Sequence, residues 1–334
     1  MKQIRLHFSD FWPGFEPKRS VFYRLIAKNF DVILTSDAPD YLICSVFSES
    51  AGNKDCRVTA EHYRHPDAIS IMFTSENLLP DLNFCDYGIG FDHLSFGDRY
   101  LRVPLFAFYD AYHSLWDARA PLSHEDRGKK HRFCNFTVSN ARAMPERDDM
   151  FARLNARKPA DSTGRHLRNS TALDDLQRIE GLTGPAAKRK LLGQYKFNIA
   201  FENSGHPGYT TEKLMEPLAA RCVPIYLGNP RAAEDFNPAA FINGHDFRSM
   251  DDIVDEVLRL DADDDAYLQM VNAHPMPLGQ QQGDIHLPAL EAFLCDIISR
   301  PKDGARRRAA TGRIGDFHQR LNRFSWQSQR WFRF

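Results

Sequence analysis

Residues 195–213 combine side chains and local structure suited to binding a phosphorylated ligand. The segment reads as a buried strand, then a polar loop with glycine and proline, then a helix that opens with Thr211, Glu212 and Lys213. The first turn of a helix presents unpaired backbone N–H groups and the positive end of the helix dipole, and both favour an anion. A lysine in that turn works against the dipole, so helix stability alone does not explain Lys213. We therefore predict a phosphate-binding loop here, with Glu212 available to accept from ribose hydroxyls.

Ordinary structural roles account for some of the same residues. Thr211 and Glu212 are common capping residues at a helix start. Asn203 can hydrogen-bond within its own turn, and Tyr209 can be a packing aromatic. On the residues alone, both interpretations of this loop stay open.

The acidic run at residues 261–265, Asp-Ala-Asp-Asp-Asp, is a second group of side chains with possible chemistry. Two aspartates separated by one residue can chelate a divalent metal together with a nucleotide sugar. This run lies between two helical patterns, where its last three residues more naturally cap a helix start. We therefore predict no metal site and no required cofactor.

The elements that would position these residues follow an α/β pattern. Apolar runs bounded by turn residues predict parallel strands, and the amphipathic stretches between them predict crossover helices. The predicted strands are 4–8, 31–34, 41–47, 70–73, 87–90, 132–139, 197–201 and 223–226. The predicted helices are 21–27, 148–154, 185–192, 211–220 and 251–260.

The length of 334 residues and the two strand series predict two doubly wound lobes facing across a cleft. Single cores stop growing at about 250–300 residues, and ligands of such sheets bind at the carboxyl ends of strands. We predict an amino-terminal lobe at 1–125, a second lobe at 126–300 and a tail at 301–334, with an irregular linker at about 104–130.

Composition excludes some classes of function. Hydrophobic residues make up 43% and charged residues 26% of the chain, which is typical of a globular protein. The formal net charge of −1 gives no general attraction to nucleic acid, so no nucleic-acid partner is expected. The first residues lack the apolar stretch of a signal peptide, and no run approaches the ~20 apolar residues of a membrane helix. We therefore expect a cytoplasmic protein.

The carboxyl-terminal residues 306–334 have a distinct composition. They contain eight arginines and one acid, Asp316, with aromatic residues interleaved. A basic, aromatic segment can lie on the inner face of an anionic membrane. The alternative is that it packs on the first lobe.

The central segment also resembles the donor-binding signature of a known enzyme family, the family 10 α-1,3/1,4-fucosyltransferases of bacterial type. The resemblance is carried by Phe201-Glu202-Asn203-Ser204, Thr211-Glu212-Lys213 and Val223-Pro224-Ile225-Tyr226. Similar segments occur in the expected order at 11–15, 39–42, 73–77, 87–92, 99–104, 132–140, 235–238 and 241–243. The resemblance covers roughly residues 4–245.

This resemblance implies a GT-B architecture of two Rossmann-like lobes, the first binding an acceptor and the second binding GDP-fucose. The implied reaction moves L-fucose from GDP-β-L-fucose, with inversion and without a metal, to a GlcNAc hydroxyl of an acceptor such as N-acetyllactosamine. An α-1,3 linkage is expected, with α-1,4 as the alternative, and LacdiNAc-like or simpler β-glycosides are the alternative acceptors. The alternatives are a GT-B enzyme with another nucleotide sugar and a non-enzymatic sugar- or nucleotide-binding protein.

The resemblance also assigns roles to single residues. Glu76 stands at the position of the family's general base, where Ser75 replaces the commoner glycine before it. Arg147 matches an arginine that contacts the donor pyrophosphate, and a guanidinium can make bidentate contact with phosphate. Lys213 would be the second cation on the phosphates.

Further side chains would complete the two substrate sites. On the acceptor side, Phe11 and Trp12 would offer aromatic faces to a sugar ring, although both could equally be core residues. The donor site would be lined by Ser139, Asn140, Asn203, Tyr209, Thr211 and Glu212.

Overall fold

The computed structural model describes residues 1–47, 64–182, 184–277, 279–280 and 283–308, together with Leu321 and Phe324. These residues form two compact units. The first holds Met1–Pro104 and the described residues from Ile285 onward, and the second holds Leu105–Asp284.

The strands of the two units, in chain order, are β1 (Gln3–Ser9), β2 (Asp31–Leu34), β3 (Tyr41–Cys44), β4 (Ile69–Phe73), β5 (Tyr87–Gly90), β6 (Tyr100–Arg102), β7 (Arg132–Phe136), β8 (Asp161–Ser162), β9 (Tyr195–Phe201), β10 (Val223–Leu227) and β11 (Ile242–Asn243). The helices of the described residues are α1 (Val21–Ala27), α2 (Asp110–His113), α3 (Glu146–Arg157), α4 (Ala172–Glu180), α5 (Gly184–Leu192), α6 (Glu212–Ala219), α7 (Ala232–Asp235), α8 (Met250–Ala262), α9 (Asp264–Asn272), α10 (His286–Ser299) and α11 (Lys302–Ala305).

The first unit is built on a parallel sheet with the strand order β2-β1-β3-β4-β5-β6. Its central strands β3, β4 and β5 are buried at every residue, because helices and loops cover both faces of a parallel sheet. The strand order reverses beside β1, which is the switch point of a doubly wound sheet. The carboxyl ends of β1, β3 and β4 therefore lie at one edge.

The second unit has a parallel sheet with the order β11-β10-β9-β7-β8. Strand β9 is buried along its whole length, between β10 and β7. The helix α3 buries Met150, Phe151 and Leu154 on one face of this sheet. The α/β fold with parallel sheets predicted from the sequence is thus confirmed.

The predicted linker at 104–130 is wrong. A 3-10 helix at Leu105–Phe108 and the short α2 occupy its first part. Phe106 and Tyr112 have no exposed surface, and both belong to the second unit. The segment looked irregular because its apolar residues follow neither a strand period nor a long helix period.

The unit boundaries also differ from those predicted. The second unit begins at Leu105, whereas residue 126 was predicted. It ends at Asp284, whereas residue 300 was predicted, and the chain returns to the first unit at Ile285. The cause is α10, in which Leu290, Leu294, Ile297 and Ile298 are buried. The hydroxyl of Tyr41 donates to the carbonyl of Ile298 at 3.2 Å, which ties α10 to β3.

Of the predicted tail, residues 309–320, 322–323 and 325–334 lie outside the described residues. Three of its arginines are described, and each bonds to the first unit. Arg306 donates to the Pro66 carbonyl at 2.6 Å, Arg307 pairs with Asp98 at 2.5 Å, and Arg308 pairs with Asp86 at 3.0 Å. This part of the tail packs on the first unit.

Candidate functional site

The carboxyl edge of the second sheet gathers the loops that follow β7, β9 and β10. All three strands are parallel, so the polar residues after Phe136, Phe201 and Leu227 lie at the same edge. Most of the side chains predicted for the donor site stand on these loops or on the helices that begin there.

Arg147, in the first turn of α3, joins two of these loops. Its Nη1 donates to Asn203 Oδ1 at 3.0 Å, and its Nη2 donates to the carbonyl oxygen of Asn140. The side chain is only 1% exposed. Burial lowers the pKa of Arg147, and the nearby Asp148 carboxylate opposes this effect. The arginine is therefore a buried cation that connects the loops after β7 and β9.

Ser139 and Asn140 are exposed on the loop after β7. Asn140 Oδ1 accepts from the backbone N–H of Arg142 at 2.9 Å, which closes a turn. This loop is fitted closely to the loop after β8, since a Cβ placed on Gly164 would lie 1.9 Å from the carbonyl oxygen of Val138. A glycine is required there for the two loops to approach each other.

Glu202 follows β9 directly and has no exposed surface. Its Oε1 accepts from the N–H of Thr211 at 2.8 Å, and its Oε2 lies 3.2 Å from Lys213 Nζ. Burial raises the pKa of Glu202, and the Lys213 ammonium offsets part of that rise. Glu202 lies within the signature that carries the family resemblance, but no role was predicted for it. A carboxylate directly after the apolar residues Ile199, Ala200 and Phe201 was the signal that could have marked it.

Lys213 lies between two carboxylates. Besides Glu202, its Nζ donates to Glu212 Oε1 at 3.3 Å and to Thr211 Oγ1 at 3.1 Å. Burial alone would lower the pKa of Lys213, but Glu202 and then Glu212 outweigh it and raise the pKa above the ordinary lysine value. The counterions that Lys213 meets within the chain are therefore carboxylates, and 17% of its side chain is exposed.

Thr211 and Glu212 have structural roles at this helix start. The Thr211 side chain is the N-cap of α6 and accepts from the N–H of Lys213 at 3.5 Å, so the capping interpretation is confirmed. Burial would raise the pKa of Glu212, but Lys213 and then Lys188 hold it below its usual value. Glu212 is therefore ionised and available as a hydrogen-bond acceptor.

The loop between β9 and α6 is held by Asn229, which is fully buried after β10. Its Oδ1 accepts from the N–H of Gly208 at 2.8 Å, and its Nδ2 donates to Thr210 Oγ1 at 3.0 Å. Gly208 has a φ of 89°, which favours glycine. Tyr209, between them, is 5% exposed, so its ring is packed in the loop.

Tyr109 is a second residue that sequence reasoning missed. It precedes α2, which packs against α6, and it is half-exposed. The pKa of Tyr109 is raised by burial and by the Glu212 carboxylate. Its phenol therefore stays protonated beside the charged residues at the start of α6.

Glu76, Phe11 and Trp12 belong to the first unit. Glu76 is exposed in the loop after β4, and Trp12 is 44% exposed after β1. Phe11 is only 8% exposed and stacks on Phe15 with their ring centroids 4.0 Å apart. Of the two aromatics considered for the acceptor, Phe11 is a core residue and Trp12 presents the exposed ring.

The acidic run at 261–265 serves structure. Asp263 Oδ1 accepts from the N–H of Ala266 at 3.0 Å and caps α9, as predicted. Asp261 pairs with Lys196 at 2.6 Å and also with Lys158. Within the described ranges, no three His, Cys, Asp or Glu side chains are grouped so that they could hold a metal ion. Nor does any helix in those ranges have the length and apolar character needed to cross a membrane.

Two family models match the chain. Residues 6–109 match the α-(1,3)-fucosyltransferase FucT N-terminal domain. Residues 127–308, more than half of the chain, match the carboxyl-terminal domain of glycosyltransferase family 10 (fucosyltransferase).

Curated relatives agree with these matches. An α-(1,3)-fucosyltransferase of Helicobacter pylori is 33% identical over 282 residues, which are 78% of this chain and 57% of that protein. The α-(1,3)-fucosyltransferase B of Drosophila melanogaster is 26% identical over 249 residues, 63% of this chain and 54% of that protein. The chain thus spans little more than half the length of these relatives.

Solved structures show the same fold. A crystal structure of an α1,3-fucosyltransferase with GDP-fucose superposes with a TM-score of 0.68 at 26% identity, covering 90% of this chain and 92% of that one. A crystal structure of HepE of Anabaena in complex with UDP-glucose has a TM-score of 0.51 at 6% identity, covering 89% of this chain and 99% of that one. This likeness concerns the fold alone. With the two family models covering nearly all of residues 6–308, the chain belongs to glycosyltransferase family 10, the fucosyltransferases.

Proposed function

We propose that this chain is an inverting fucosyltransferase that moves L-fucose from GDP-β-L-fucose to a hydroxyl of a glycan acceptor. The observation that carries the proposal is the group of Arg147, Glu202 and Lys213 at the carboxyl edge of the second sheet, within a family 10 domain. A relative of the same family has been crystallised with GDP-fucose, which supports the same donor here.

The donor diphosphate is proposed to bind at the start of α6. There the helix N-terminus and the Lys213 ammonium favour an anion. Lys213 is paired with Glu202 and Glu212 within the chain. When the donor binds, Glu212 turns to the ribose hydroxyls, and one N–H of Lys213 becomes free for a phosphate oxygen.

Arg147 supports the same end of the donor. Both of its terminal nitrogens already donate within the chain, to Asn203 and to the Asn140 carbonyl. A bidentate contact with the pyrophosphate would require these bonds to be exchanged. We propose that Arg147 acts as a fixed positive charge beside the pyrophosphate while it orders the two loops that surround the nucleotide.

The chemical step is a single displacement. The bond between the fucose anomeric carbon and the β-phosphate oxygen breaks, and a bond to the acceptor oxygen forms on the opposite face. The cations stabilise the charge that develops on GDP, so no metal is required for this role. Glu76 takes the proton of the acceptor hydroxyl as general base, and Trp12 offers its exposed ring to the acceptor sugar.

The test is titration calorimetry of the purified protein with GDP, UDP and CMP in the presence of EDTA. It is followed by an assay of GDP release from GDP-fucose with and without N-acetyllactosamine. Selective GDP binding and acceptor-dependent release are expected. Preferential UDP binding would instead support a transferase with another nucleotide sugar, and binding without turnover would support a non-enzymatic protein.

The linkage and the acceptor are proposed more specifically as α-1,3 to GlcNAc. NMR of the product formed from N-acetyllactosamine would show the anomeric proton of an α-linked fucose and a shifted GlcNAc C3. A product with a β-linked fucose would contradict inversion, and attachment elsewhere would contradict the regiochemistry.

Contact of the basic tail with the cytoplasmic face of an anionic membrane is a separate proposal. It concerns the arginines after residue 308, since Arg306, Arg307 and Arg308 bond to the first unit. Co-sedimentation with vesicles containing phosphatidylglycerol, compared with neutral vesicles, would test it. Equal recovery with both would contradict it.

A further inference from the structure

Glu202 is an acidic side chain in an unusual position. It has no exposed surface, and it directly follows the buried strand β9. A carboxylate is costly to bury unless it is paired and hydrogen-bonded. The reaction proposed above gives this residue no direct part, so its partners indicate its role.

Within the part of the chain that the structure describes, the hydrogen bonds and the ion pair of the Glu202 carboxylate lead to the start of α6. Its Oε1 accepts from the N–H and the Oγ1 of Thr211 at 2.8 and 3.0 Å. Its Oε2 accepts from the same hydroxyl at 2.8 Å and lies 3.2 Å from Lys213 Nζ. One buried carboxylate thus holds both the N-cap of α6 and the ammonium that follows it.

Gly228 leaves the space that the Glu202 side chain occupies. A Cβ on Gly228, at the end of β10, would lie 2.4 Å from Glu202 Cγ and 2.8 Å from Glu202 Cβ. No side chain fits there without displacing the glutamate. The position of Glu202 is therefore defined by two neighbouring strands.

Several elements contribute titratable groups around the Glu202–Lys213 pair. They are Glu212 on α6, Tyr209 on the preceding loop, Tyr109 before α2, Tyr226 on β10, and Lys188 on α5, which pairs with Glu216 of α6 at 2.6 Å. Among these charges, Glu202 has the largest effect in raising the pKa of Lys213, ahead of Glu212. Burial acts in the opposite direction.

We propose that Glu202 is a positioning residue that keeps the Lys213 side chain cationic and directed to the donor diphosphate. The inference rests on the proposed function, because it assigns Lys213 to that diphosphate. Without the Glu202 charge, Lys213 would remain buried beside Glu212 alone and would lose its proton at a lower pH.

The experiment compares GDP binding by the wild type and by Glu202→Gln at about pH 7 and about pH 9.5, by calorimetry with EDTA. Glutamine keeps the size of the side chain and removes its charge. We expect the variant to lose about tenfold more affinity than the wild type between the two pH values. The change in GDP affinity measured for the wild type between the two pH values corrects for titration of the guanine base of GDP itself.

Two further variants separate charge from structure. Lys213→Arg in the Glu202→Gln background should restore the wild-type pH dependence, because a guanidinium stays charged throughout this range. Glu234→Gln removes an exposed carboxylate of the same unit, which pairs with Arg231, and should leave the profile unchanged. A role of Glu202 in packing alone would weaken binding equally at both pH values.

A measurement on the wild type covers the case in which Glu202→Gln does not fold. NMR titration of the lysine Cε–H signals, with Lys213 assigned from the spectrum of Lys213→Arg, should show Lys213 titrating above the other lysines. Titration below them, or an unchanged pH profile in a folded Glu202→Gln, would overturn the inference. Absence of GDP binding by the wild type would instead overturn the proposed function and, with it, this inference.

Discussion

At the scale of single residues, the site depends on pairs of side chains. Arg147 and Lys213 were predicted to be the cations of the site, and in the structure each is held by a side chain within hydrogen-bonding distance. Those partners, Asn203 and Glu202, come from the loop after β9. The pairing of Lys213 with Glu202 could not be predicted, because it depends on how the loop folds back on the helix start.

Replacement of Glu76 by glutamine tests the proposed base. We expect GDP affinity to stay within about twofold, while transfer to N-acetyllactosamine falls by about 10²–10⁴-fold, the usual contribution of general base catalysis. Calorimetry and the GDP-release assay measure the two effects separately. Glu16→Gln, which alters another exposed acid of the first unit, is the control. Equal losses of binding and turnover in Glu76→Gln would contradict the assignment.

Lys213→Met tests the proposed role of Lys213 as the second cation on the donor phosphates. The substitution keeps a long side chain and removes the charge, so it leaves Glu202 buried without its ammonium partner. We expect a loss of about 2.7–4 kcal/mol in transition-state stabilisation, by analogy with the removal of one oxyanion donor. The ratio of kcat/KM values for wild type and variant measures it, with Lys190→Met, an exposed lysine of α5, as the control. Unchanged kcat/KM would exclude a role for Lys213 in the reaction.

At the scale of elements, the site depends on loops that approach each other closely. Several strands and helices were predicted from a local apolar period, and α1, β2 and β5 begin and end at the predicted residues. The helices α4 and α10 were not predicted. The strands β6, β8 and β11 were missed, because two or three residues are too few to show a period. Of these, β8 and β11 belong to the second sheet, and their carboxyl ends lie at the edge where the donor is proposed to bind.

Gly164→Ala tests the approach of the loops after β7 and β8. The added methyl would overlap the Val138 carbonyl, so the backbone must shift. We expect a destabilisation of about 1–3 kcal/mol, as in overpacked interiors, together with weaker GDP binding. Urea unfolding and calorimetry measure these effects. Gly184→Ala is the matched control, since only the Gln177 side chain lies near its added methyl, at 3.7 Å. Equal stability of the two variants would contradict the predicted overlap.

At the scale of the whole molecule, the chain leaves the first unit at Pro104 and returns to it at Ile285. Asp86 binds the end of the returning segment. It accepts from the N–H groups of Arg307 and Arg308 and pairs with the Arg308 side chain at 3.0 Å. Burial would raise the pKa of Asp86, but Arg308 and the backbone N–H groups hold it below the ordinary value. The ionised carboxylate therefore stabilises the folded unit above the pKa of an unfolded aspartate. That contribution is lost as the pH falls through the folded pKa.

Asp86→Asn tests this link. We expect a loss of about 3–5 kcal/mol at neutral pH, because a buried arginine is left without its partner. The difference between wild type and variant should shrink in acid, as the wild type loses the same charge. Urea unfolding at about pH 7 and about pH 3.5 measures it. Asp98→Asn, which removes a more exposed partner of the same segment, should cost less than about 1 kcal/mol. A constant difference across pH would contradict the role of the charge.

The sequence by itself determined the α/β class, most of the longer elements and the family, because these depend on local periodicity and on residues close together in the chain. It also placed the helix start at Thr211 and a helix cap within residues 263–265, since capping depends on a few consecutive residues. Only the tertiary structure decided that Glu202 is buried against Lys213, that residues 105–130 belong to the second unit, and that α10 completes the first. The first depends on how the loop after β9 folds back on the start of α6. The other two depend on contacts between segments distant in the chain, which form when apolar faces such as that of α10 are buried together.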